Sequence, residues 1–133
     1  GRPTAHFCLG VYSLAALVGP SVQALNMLSE AAVHNLHSYF AFGIFYVVCG
    51  NPEDGRIILK NYLEMFNNFQ EAVYCAEQVM TQIQDMAPTR QQLYRGYRSL
   101  NSIPDCHLVH FGSLDFCPDC FDPTYIFKIR ALC

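Results

Sequence analysis

The sequence has no tryptophan and is short of charge. Only 14% of its 133 residues are charged, against about a quarter in an ordinary soluble domain. A surface so poor in charge belongs to a chain with a large interior or with a helix face covered by a partner. No basic tract is present and the formal net charge is −3, which argues against nucleic acid as a partner. Long hydrophobic runs are missing too. The longest, Tyr39 to Cys49, is 11 residues, short of the ~18–20 that a membrane-spanning helix needs. It reads as a buried core helix, and no transmembrane segment is expected. The sequence also lacks Gly-x-Ser-x-Gly, His-Glu-x-x-His and any glycine-rich phosphate loop, so nothing points to an enzyme, a resident metal or a cofactor.

Cysteine is what the chain has in excess. Cys8, Cys49, Cys75, Cys106, Cys117, Cys120 and Cys133 make seven in a chain of 133 residues. Small domains use disulfides as staples in oxidising compartments, so a secreted, extracellular protein with three intrachain disulfides is expected. The odd count leaves one thiol for a second chain, and a disulfide-linked homodimer follows as one expectation. The thiol nearest a chain end is the easiest to reach, which favours Cys133 or Cys8 for that role.

The N-terminal stretch permits two readings. Arg2 precedes an apolar segment from Cys8 to Gly19 and a small-x-small pair at Val22 and Ala24, which resembles the layout of a secretory signal. The same stretch carries Phe7, Val11, Leu14 and Val18 at helical spacing, and we read it as a helix of the mature fold over 7–18.

Periodicity is helical throughout. A second helix over 21–49 is expected from Val22, Leu25, Ala32, Leu36 and Tyr39. Gly50-Asn51-Pro52-Glu53-Asp54 then combines a left-handed cap, an N-cap, a first-turn proline and two carboxylates at the positive end of a helix dipole. A third helix over 52–87 follows. Leu59, Tyr62, Phe66, Phe69, Val73, Ala76, Met80 and Ile83 step by three and four, with Glu64, Glu71, Gln78 and Asp85 on the opposite side. Thr89-x-x-Gln92 matches a capping box and begins a short helix to 102. Residues 103–122 lose all periodicity and hold three cysteines, and a last helix covers 123–132. The expected fold is therefore all-α: a single domain over 1–133, a disulfide-stapled bundle of four to five helices with an irregular cysteine-rich connector near the C-terminus.

Several groupings invite chemistry. Cys117-Pro118-Asp119-Cys120 has the spacing of thiol–disulfide exchange, but no strand–helix context accompanies it, and structural disulfides to two different partners are the expectation. Cys106, His107, His110, Cys117 and Cys120 offer thiolate and imidazole in one segment, in a spacing that fits no standard zinc site. Glu30, His34 and His37 would share one helical face, read as a polar strip. Arg90, Arg95 and Arg98 mark a solvated face. The aromatics carry the leading functional reading. The chain holds ten phenylalanines and eight tyrosines, and Phe42, Phe45, Tyr46, Phe66 and Phe69 are expected to line a cavity for a small hydrophobic molecule between helices. The competing reading is a protein–protein module (a cytokine-like signal, a gamete-recognition factor or a toxin) acting through an exposed helix face.

Overall fold

A computed structural model describes residues 2–17, 21–86 and 117–133. The described residues form six α-helices and no strand. These are α1 (Arg2–Tyr12), α2 (Val22–Ala32), α3 (Leu36–Val48), α4 (Pro52–Glu64), α5 (Phe69–Asp85) and α6 (Phe121–Leu132). A π-helical turn, Ser13–Leu17, prolongs α1, and a 3-10 turn, Pro118–Cys120, leads into α6. The helix expected over 89–102 and most of the connector lie outside the described residues.

Among the described residues six helices stand where four were expected, because two asparagines cut the long periodic stretches. The segment 21–49 is two helices, since Asn35 is extended and its Oδ1 accepts the N–H of Ser38 at 2.7 Å. The segment 52–87 divides in the same way. Asn68 is extended and its Oδ1 accepts the N–H of Glu71 at 2.9 Å. Asparagine competes with helical backbone hydrogen bonding inside a helix and satisfies orphan donors at its start. The hydrophobic stripe survives the second break. Leu59 and Tyr62 on α4 and Val73, Ala76, Met80 and Ile83 on α5 are all buried, with Phe66 and Phe69 half-buried at the join. The last helix starts two residues early, at Phe121, and Pro123 sits in its first turn, where a missing N–H is harmless.

The turn between α3 and α4 forms as its residues dictate. Gly50 adopts φ 111°, a left-handed conformation open to glycine without a Cβ penalty. Its N–H donates to Val47 O at 3.2 Å, and that of Asn51 donates to Tyr46 O at 3.1 Å, the paired bonds of a Schellman cap. Pro52 opens α4, but the Asn51 side chain makes no capping bond.

Helix α3 is central, packing on α2, α4, α5 and α6. Its contact with α4 is the most extensive among the described helices and is antiparallel, since Gly43 faces Leu59 while Val47 faces Gly55. A Cβ on Gly55 would stand 2.7 Å from the Val47 backbone nitrogen. The two helices therefore approach backbone to backbone at that point, which only a residue without a side chain allows. Helices α1 and α2 form a second pair, with Val11, Leu14, Ala15, Leu28 and Ala31 buried between them and the rest of the core.

Candidate functional site

One end of the core is built of rings. Phe40 of α3 meets Tyr62 of α4 at 5.4 Å, Phe121 at 5.8 Å and Tyr125 of α6 at 5.3 Å between ring centroids. Phe121 and Tyr125 lie 4.9 Å apart. All four are fully buried. Tilted and edge-to-face pairs of this kind add about 0.5–1.5 kcal/mol each beyond area burial. The two phenols find acceptors. Tyr62 Oη donates to Ala72 O at 2.7 Å, tying the end of α4 to the first turn of α5. Tyr125 Oη donates to Glu77 Oε2 at 2.6 Å. Burial holds both phenols protonated far above the ordinary tyrosine range, reinforced at Tyr62 by the Cys75 thiol and at Tyr125 by Glu77.

The five aromatic residues expected to line one cavity occupy three different settings. Phe66 packs on Tyr62 at 5.0 Å and Phe69 on Phe121 at 6.0 Å, so both join the rim of the ring cluster. Phe42 and Tyr46 pair with each other at 5.3 Å and are half-buried. They follow Phe40 by two and six residues, so they leave α3 on a different side. Phe45 is fully buried in the core.

Two depressions among the described residues lie along α5. A groove of about 320 Å³ between α5 and α6 has Met80, Phe127, Ala131 and Leu132 as apolar walls, with Glu77 and Lys128 at one side. A second depression of about 470 Å³ adjoins it, sharing Glu77 and Thr81 and bounded by His37, Tyr74 and Gln78. Glu77 stands between the two. It accepts from Tyr125 Oη and from Lys128 Nζ at 3.1 Å, and Lys128 Nζ lies 5.1 Å from the Tyr125 ring centroid. Nothing in the sequence announced this bridge, because Glu77 and Tyr125 are 48 residues apart and neither belongs to a local motif.

The remaining candidates separate. The break at 33–35 parts the three residues of the supposed polar strip. Glu30 pairs with His6 Nδ1 at 3.2 Å, His34 is exposed in the turn, and His37 Nε2 shares a hydrogen bond with Gln78 Oε1 at 2.9 Å. No group of three potential metal ligands forms among the described residues. Arg90, Arg95, Arg98, Cys106, His107 and His110 lie outside them.

Among the described cysteines no disulfide is formed. Cys8 is exposed, Cys49 and Cys117 are half-buried, and Cys75, Cys120 and Cys133 are buried. The expectation that the terminal thiol is easy to reach fails for Cys133, which is 1% exposed. Its helix folds it back onto the core, and burial pushes its thiol up to about 11. Cys117 Sγ and Cys120 Sγ stand 3.6 Å apart.

Asp122 follows in the first turn of α6. Burial pushes its carboxyl up to about 6, against the opposing pull of the Arg56 guanidinium, whose Nε is 3.8 Å from Asp122 Oδ2.

Compared with known proteins, the chain matches no family model, no curated protein and no solved structure. No helix of the described residues is long and apolar enough to cross a membrane.

Proposed function

We propose that this chain is a secreted, non-enzymatic binding protein that holds a small hydrophobic molecule, and that the α5–α6 groove is where it does so. The observation that carries this reading is the groove itself. Its volume falls at the lower end of the ~300–1,000 Å³ usual for small-molecule sites, and its lining sets Met80, Phe127, Ala131 and Leu132 beside Glu77, Thr81, Gln84 and Lys128, an apolar wall with polar groups to orient a guest. Phe42, Phe45, Tyr46, Phe66 and Phe69 are divided among three settings and Phe45 is fully buried, whereas the groove takes a guest without opening the core. The abundance of cysteine supports secretion, with disulfides stapling the helices into a bundle once the chain meets an oxidising compartment.

Titration with a fluorescent fatty acid tests this. Phe127→Asp places a charge on the groove wall and is expected to weaken binding at least ~10-fold, a loss of about 1.4 kcal/mol, while leaving the fold intact because Phe127 is 52% exposed. Phe42→Ser is expected to leave binding unchanged. Equal loss in both variants, or no probe binding to the wild-type chain, rejects the groove.

One observation favours a second reading, the protein–protein module. Cys8, Leu9 and Tyr12 share one face of α1 and are exposed, Leu9 by 55% and Tyr12 by 44%. A second copy of the chain joined through Cys8 would cover this patch. A dimer seen on non-reducing gels that vanishes in Cys8→Ser supports it, and a dimer that persists in that variant rejects it.

A further inference from the structure

We propose that Cys117 and Cys120 form a closable dithiol, a modification site whose reactant is a low-molecular-weight disulfide. This departs from the expectation that the two cysteines serve two different partners. It is independent of the groove and of the ligand.

The argument is geometric. The two cysteines bracket a single 3-10 turn, closed by the Cys120 N–H donating to Cys117 O at 3.0 Å. A turn of this kind keeps residues three apart within the Cα separation of about 4.4–6.8 Å that a disulfide spans. Their sulfurs already stand 3.6 Å apart. Closure to the bonded distance of about 2.0 Å therefore asks for side-chain rotation and no rearrangement of helices. Pro118 fixes the backbone between them and removes one donor that the first turn does not need.

The two sulfurs differ in access, which sets the order of events. Cys117 is half-buried at the start of the turn, and Cys120 is fully buried. A reactant from solution meets Cys117 first. The Cys117 thiolate attacks one sulfur of the small disulfide, forming a mixed disulfide and expelling one thiolate. The Cys120 thiolate then attacks the Cys117 sulfur, closing the Cys117–Cys120 bond and expelling the second. Two electrons pass from the cysteine sulfurs to the former small disulfide, and the two cysteine protons end on the two released thiols. Cys120 adjoins Phe121 of the ring cluster, so the closed bond stiffens the turn that leads into α6.

The test is incubation of the reduced full-length chain with glutathione disulfide, followed by alkylation and peptide mass spectrometry with fragmentation. The wild-type chain and a Cys106→Ser variant should both lose two hydrogens from the peptide holding Cys117 and Cys120, with both thiols blocked to alkylation and the bond placed between them. Cys120→Ala should accumulate a glutathione adduct on Cys117, since the resolving thiol is gone. Cys117→Ser, which alters only the half-buried member, should show neither the bond nor an adduct on buried Cys120. Persistent glutathione on both cysteines of the wild-type chain overturns the proposal. So does a bond from either cysteine to any other cysteine, or an adduct on Cys120 in Cys117→Ser.

Discussion

Helices α3 and α4 meet by shape, whereas α5 and α6 meet by chemistry. The first pair is notched by Gly43 and Gly55, so that Val47 and Leu59 lie against bare backbone, and the ring cluster fills the space beyond them. The second pair approaches far less closely. Its link is a carboxylate, Glu77, gripped by a phenol and an ammonium, with a groove beside it. Close packing excludes ligands and resists any change of volume. Bridging by polar side chains leaves room between backbones and tolerates substitution. In one small chain the two modes divide the labour, the tight pair holding the fold and the open seam offering a surface.

Substitutions can break that contrast, beginning with the tightest contact. Gly55→Ala forces a methyl into the Val47 backbone, where no side chain can swing away, and should destabilise the chain by about 3 kcal/mol or more. Denaturant unfolding measures this, and a loss under about 1 kcal/mol would mean that the two helices are not in backbone contact.

Asp122 sharpens the comparison where the tight half meets the seam. Its carboxyl in the folded chain stands at about 6, above the ordinary value, so the folded state holds the proton more tightly than the unfolded one. That contribution is fully present below about pH 4 and is lost as pH rises through about 6, a change on the order of 3 kcal/mol. Asp122→Asn should therefore be more stable than the wild-type chain at pH 7, and the difference should shrink steadily toward pH 4. A difference that is constant with pH would contradict the burial.

Asn68→Ala removes the cap that separates α4 from α5, and should cost about 1 kcal/mol in the same unfolding assay. Circular dichroism of the native state should not change, because the buried stripe on both helices holds them in place.

The smallest effect belongs to the seam. Glu77→Gln keeps an acceptor for Tyr125 and loses only a partly exposed ion pair with Lys128, so stability should fall by less than about 1 kcal/mol. If this variant is as damaging as Gly55→Ala, the seam is as much a part of the core as the α3–α4 contact, and the contrast collapses.

Much of this fold was legible in order along the chain. The helical class, the cap at Gly50, the proline opening α4 and the faces of α4 and α5 all rest on residues a few positions apart. Hydrophobic spacing continues unbroken through Asn35 and Asn68, and so hides the breaks between α2 and α3 and between α4 and α5. Yet Asn68-x-x-Glu71 was available as a local signal, an acceptor followed by an acid in the first turn. The five aromatic residues expected around one cavity fall in three settings of the fold. Phe42 and Phe45 stand one turn apart on α3, yet the first is half-buried and the second fully buried, and periodicity alone does not say which side meets the core when α3 is apolar nearly all round.

By itself, the sequence determined that the described residues fold as helices, where the long periodic stretches begin and end, and which faces of the amphipathic ones are buried. Those properties depend on backbone hydrogen bonds and side-chain spacing within a few turns. Only the tertiary structure decided that Gly55 meets Val47, that Glu77 is held by Tyr125 and Lys128, that Cys133 is hidden while Cys8 is open, and that a groove lies between α5 and α6. Each of these depends on how elements far apart in the chain are placed against one another. Such placement is settled by the fit of whole surfaces, which no local pattern encodes.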